Sequence, residues 1–165
     1  MGFKPLGVGD YLQAGDAMTC IAWDGRNIAA DRQSTYCGTR ITCTKLFKID
    51  GFRYAATSGN RDDGLLLIEW YKAGSVVADW PKFQEQENFT NLIVVEYGQL
   101  FYYSQQPIKI KCEDKFFAMG SGRDFALGAM DFGANAIQAV EIANKYSTGC
   151  GLGVDHFDVL GGHET

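Results

Sequence analysis

The sequence has little of what most metal and redox sites are built from. It holds only two histidines, His156 and His163, and no Cys-x-x-Cys pair, which excludes a Cys/His zinc site of the ordinary kind. Its five cysteines are Cys20, Cys37, Cys43, Cys112 and Cys150. The odd number and unpaired spacing exclude a disulfide framework. No apolar run reaches membrane-spanning length. Residues 1–17 also lack the apolar stretch of about 7–15 residues that a signal peptide carries. The expected location is therefore a reducing cytoplasm. Positive charge is scarce too, with 15 Lys and Arg against 20 Asp and Glu and a net charge of −5. The basic residues are scattered and not striped, so neither nucleic acid nor a membrane is an expected partner.

What remains is a globular composition without low-complexity segments, repeats or a linker. At 165 residues it is long enough for one domain with one substantial core. The stretch "MTCIAWDGRNIAADRQST" starts at Met18 and reads as two strands, 18–24 and 27–32, across an Asp24-Gly25 turn, a strong hairpin signal. "TRITC" (39–43), "KLFKI" (45–49) and "FRYAATSG" (52–59) read as further strands. "NRDDGLLLIEWYKAG" follows as a helix with Asn60 as its cap, acids in its first turn and Gly74 at its end. Its apolar run from Leu65 to Ile68 predicts a helix buried between layers. "NLIVVEYG" and "LFYYSQQPIKI" predict an antiparallel pair turning at Gly98, and "KFFAMGSG" a buried strand. Helices over 122–132 and 134–146 and a closing strand, "GVDHFDVL", complete the chain. Blocks of strands alternating with blocks of helices predict α+β layering, not a doubly wound parallel sheet.

Individual residues carry bland readings as readily as functional ones. Asp31 and Arg32 fit a surface ion pair, Lys45 a solvated strand start, Gly59 a turn glycine, and Ser121 a helix cap. "GCGLGV" (149–154) follows a helix and precedes a strand, the reverse of a dinucleotide-binding loop. Asn88-Phe89-Thr90 matches a glycosylation sequon, which has no meaning without secretion.

Order and spacing are more informative. After Thr19 come Asp31 at +12, Lys45 at +26, Gly59 at +40 and Ser121 at +102. With "MTCIAWDGRNIAADRQST", "TKLFKI", "AATSGN" and "FAMGSGRDFALGAMD", the chain resembles the N-terminal-nucleophile hydrolases. The likeness is to proteasome β-type and HslV-type threonine peptidases, especially the small proteasome-like proteins of bacteria and their phages. It runs from about Met18 to Val159, which defines a domain over 18–165 behind an N-terminal extension or propeptide at 1–17.

The resemblance implies a four-layer αββα sandwich and a ring-shaped homo-oligomer that hydrolyses peptides or unfolded proteins. An ATP-dependent unfoldase could feed it, in the cytoplasm of a bacterium or of a phage's host. It implies Thr19 as nucleophile, its own α-amine as base, Lys45 and Asp31 as the charged support, Gly59 as oxyanion donor and Ser121 beside the amine. Ser34, Cys43, Phe47 and Thr57 fall at its substrate-pocket positions, a lining that hints at an uncharged side chain. No cofactor is implied beyond a monovalent cation such as sodium, held near Asn144, Ser147 and Cys150. The proteasome pattern of an aspartate and a serine three apart is replaced here by Ser147 and Cys150, which is closer to the HslV type. Met18 stands where self-cleaving relatives place glycine. Read as a translation start, Met18 would be removed and leave Thr19 as the terminus. The competing reading is an inactive assembly subunit in which residues 1–18 block Thr19.

Overall fold

The computed structural model describes residues 18–83 and 90–161. The expected extension at 1–17 and the Asn88-Phe89 part of the sequon lie outside them. The described chain is a mixed α/β fold of antiparallel sheets and three α-helices. Strands β1 (Ile21–Trp23) and β2 (Asn27–Asp31) form the expected hairpin. The Asp24 carboxylate closes it by accepting from the Arg26 and Asn27 N–H groups. β3 (Gln33–Tyr36) and β4 (Thr39–Thr42) make a separate two-stranded ribbon. β3 was not evident in the sequence, because its mostly polar residues, increasingly exposed along the strand, carry no alternating apolar pattern.

β5 (Leu46–Lys48), β6 (Arg53–Ser58), β7 (Asn91–Glu96), β8 (Gln99–Tyr103) and β9 (Ile110–Lys111) pair in chain order into a five-stranded sheet. β10 (Phe117–Met119) and β11 (Val154–Asp158) flank the hairpin, giving a four-stranded sheet ordered β10-β1-β2-β11. β10 is half-buried, not fully buried as its composition suggested. Helices α1 (Arg61–Lys72), α2 (Arg123–Asp131) and α3 (Ala136–Tyr146) start and stop close to their sequence signals. Asn60 caps α1 by accepting from Asp62 and Asp63, and Asn135 opens α3 with a capping box.

Three apolar cores follow one another. The small residues of α2 and α3 pack on Cys20, Ala22 and Ala29 of the four-stranded sheet. Ile21, Ile28 and Ala30 on the opposite face meet Tyr54, Ala56, Ile93 and Val95 of the five-stranded sheet. The outer face of that sheet, with Ala55, Leu92 and Val94, is covered by Leu67, Ile68, Trp70 and Tyr71 of α1. α1 is therefore not buried between layers. Leu65 and Leu66 of its apolar run are 42% and 50% exposed, and only Leu67 and Ile68 turn inward.

Candidate active site

The antiparallel topology brings one end of both sheets together. β1 begins there, while β2 and β10 end there; from the other sheet, β5 begins and β6 ends at the same place. Five residues just at or beyond those strand ends are Thr19, Asp31, Ser121, Lys45 and Gly59. Residues separated by up to 102 positions thus share one site.

Lys45 joins the two sheets. Its Nζ donates to Asp31 Oδ1 at 2.8 Å, to Thr19 Oγ1 at 3.2 Å and to the Met18 carbonyl at 2.9 Å. These three contacts match the three donors of a lysine ammonium. Asp31 is completely buried. Besides Lys45, its carboxylate accepts from the backbone N–H groups of Cys20 (3.0 Å), Gln33 (3.1 Å) and Gly151 (3.2 Å). That satisfies a buried anion with four donors. The surface pairing with Arg32 does not occur, and Arg32 meets Asp155 instead.

Ser121 does not cap α2, whose N-cap is Gly122 and has no side-chain hydrogen bond. Its Oγ accepts from Thr19 N–H at 3.3 Å. The approach depends on Gly120, which has φ +100° and where a Cβ would lie 2.1 Å from the Thr19 carbonyl oxygen. Gly59, at φ +119°, likewise takes a conformation that favours glycine. It lines the same cleft as Thr19 and Lys45.

Ser34, Cys43 and Thr57 line that cleft, joined by Thr44, Arg61 and Leu65. Phe47 does not, which corrects the expected pocket. It pairs with Ala55, two residues before Thr57 on β6, and packs into the core beneath α1. Behind Thr19, the buried thiols of Cys20 and Cys150 share one core cluster and interact, and Cys150 Sγ lies 3.7 Å from Ser121 Oγ. This contact, followed by burial, holds the Cys20 thiol well above its ordinary range. The same contact pulls Cys150 down to about 7, against burial and the Asp31 charge.

Asn144, Ser147 and Cys150 lie on one segment, from the last turn of α3 to the loop that follows it. Asn144 Nδ2 donates to the Gly153 carbonyl, while its Oδ1 is buried without a hydrogen-bond partner. Ser147 ends α3, and its carbonyl accepts from Cys150 N–H. Among the described residues no group of three or more His, Cys, Asp or Glu side chains is placed to hold a metal ion, and no helix is long and apolar enough to cross a membrane.

The chain is similar in fold to HslV. The HslV crystal structure from Trypanosoma brucei matches with a TM-score of 0.63 at 20% identity, covering 84% of this chain and 97% of that one. A Thiobacillus denitrificans BPH, solved in complex with epoxomicin, matches at 0.62 and 20% identity, covering 84% and 96%. An Anbu (Gly-1) mutant from Hyphomicrobium sp. strain MC1 matches at 0.60 and 14%, covering 84% and 80%. No protein-family model and no curated protein matches the chain in sequence. At such identities the likeness is one of fold, and it agrees with the resemblance read from the ordered motifs.

Several site residues escaped the sequence reading. Gln33 is buried and donates to the Thr148 carbonyl. The Cys20–Cys150 contact spans most of the chain, so no local spacing reveals it. Arg61 and Leu65 had a signal, however. They stand four apart at the start of α1, two and six residues past Gly59, and such pairs share one helix face.

Proposed function

We propose that this protein is an N-terminal threonine peptidase of the proteasome/HslV type, hydrolysing peptides or unfolded proteins. The observation that carries this reading is the Lys45 ammonium held between the Thr19 hydroxyl and the buried Asp31 carboxylate. With Thr19 as the terminus, its α-amine takes the hydroxyl proton as Oγ1 bonds to the substrate carbonyl carbon. An α-amine titrates near about 7.7–8.0, and the adjacent lysine charge lowers that value. The Gly59 N–H would meet the developing oxyanion, and Ser121 would steady the amine. The amine's proton then passes to the leaving nitrogen as the peptide bond breaks. Water cleaves the resulting ester and regenerates Thr19.

Three successive cores support a four-layer αββα arrangement. From the fold likeness the reading extends to a ring-shaped homo-oligomer, with an ATP-dependent unfoldase as a candidate partner and the cytoplasm as its place. The donor set suits a monovalent cation such as sodium. The unpartnered Asn144 Oδ1 and the backbone oxygens of Ser147 and Cys150 would hold it, and it would supply fixed positive charge to the loop behind Ser121.

A second reading, a non-catalytic assembly subunit, is favoured by one feature. Thr19 N is an amide joined to Met18, whose carbonyl takes the third Lys45 hydrogen bond, and an amide cannot serve as base. Peptide hydrolysis by protein starting at Thr19, compared with protein retaining Met18, tests the choice. The peptidase reading expects about 10²–10⁴-fold faster cleavage from the first, lost in Thr19→Ala. Equal inertness of both forms across a broad peptide panel supports the assembly subunit.

A further inference from the structure

The cleft beside Thr19 contains one uncompensated charge. Lys45 is neutralised by Asp31 at 2.8 Å. Arg26, Arg32, Arg53 and Arg123 each have a carboxylate partner. Arg61 lines the cleft, is exposed, and has no hydrogen bond or ion pair among the described residues.

Its position is fixed by packing. The first turn of α1 presses on the end of β6 so closely that a Cβ at Gly64 would lie 2.8 Å from Thr57 Oγ1. Arg61 and Leu65, one turn apart, therefore border the cleft together, while Asp62 and Asp63 do not line it. The remaining wall supplies the hydroxyls of Ser34, Thr44 and Thr57 and the Cys43 thiol. A guanidinium with nearby hydroxyl donors suits a carboxylate, and Leu65 offers apolar cover for the methylenes that carry it. No carboxylate is among the residues lining this wall.

Resting on the peptidase reading above, we propose that Arg61 is a specificity-determining residue, selecting substrates whose side chain next to the attacked carbonyl is acidic. This replaces the uncharged preference suggested by the sequence, which did not include Arg61.

The test compares peptides differing only in glutamate or glutamine before the scissile bond, on protein starting at Thr19. The glutamate peptide should have a kcat/KM about tenfold higher, and the ratio should shrink as salt is added. Arg61→Gln should bring the ratio to about one, and Arg61→Glu should turn the preference toward lysine, a reversal no purely structural role produces. Because Arg61 is exposed, these changes leave the core packing in place. Equal kcat/KM for both peptides, with epoxomicin still labelling Thr19, overturns the role of Arg61 and leaves the peptidase reading standing. If no peptide is cleaved and epoxomicin does not label Thr19, the peptidase reading falls and this proposal with it.

Discussion

Lys45 carries three N–H donors, and Asp31, Thr19 and the Met18 carbonyl take one each. Removing it strands a buried carboxylate, so Lys45→Ala should cost about 3–5 kcal/mol of stability as well as activity. Urea unfolding of Lys45→Ala, Asp31→Ala and the double variant measures this. The double variant should lose less than the sum of the singles, and strict additivity would contradict a coupled pair. The thiols behind the site add a pH signature. Cys150 is lowered to about 7 from an ordinary 9.0, so between those values the unfolded chain binds more protons and stability rises with pH. Cys20 is raised, so above about 9 its contribution has the opposite sign and stability falls. Unfolding curves at pH 6, 7.5 and 9 should show the rise, and Cys150→Ser should flatten it.

Each element contributes to the site mainly through where it ends. β10 delivers Ser121 only because Gly120 lets the chain pass against the Thr19 carbonyl. Gly120→Ala should therefore destabilise by at least about 2 kcal/mol, read as a lowered Tm, whereas a surface alanine on α2 should not. Most element boundaries were legible because their signals are local: the Asp24-Gly25 turn, the Asn60 cap and the small-residue helices. The ribbon partner β3 was not, since its residues Gln33–Tyr36 serve a polar edge. The buried fate of α1 was misread because Leu65–Ile68 is apolar all round, while only Leu67 and Ile68 find a core. Thr19, Asp31, Lys45, Gly59 and Ser121 were legible as an ordered set. Phe47 was misplaced because its ring, opposite Ala55 and two residues from Thr57 along β6, goes to the core under α1, which sequence spacing does not reveal.

At the scale of the whole molecule, two sheets end at one cleft and a single lysine bridges them. Burying Asp31 and Lys45 there costs desolvation, compensated by four donors on the carboxylate and three acceptors on the ammonium. Under the proposed peptidase reading, this cluster tunes the Thr19 hydroxyl, and its chemistry depends on the state of the Thr19 nitrogen. The central claim is that Thr19 becomes the nucleophile once its amine is free. Intact-mass measurement after incubation with epoxomicin, followed by peptide mapping, tests this most directly. Protein starting at Thr19 should gain one inhibitor mass per chain, mapped to Thr19, and protein retaining Met18 should gain none. An unmodified Thr19 in the first form, or equal labelling of both, would contradict the account.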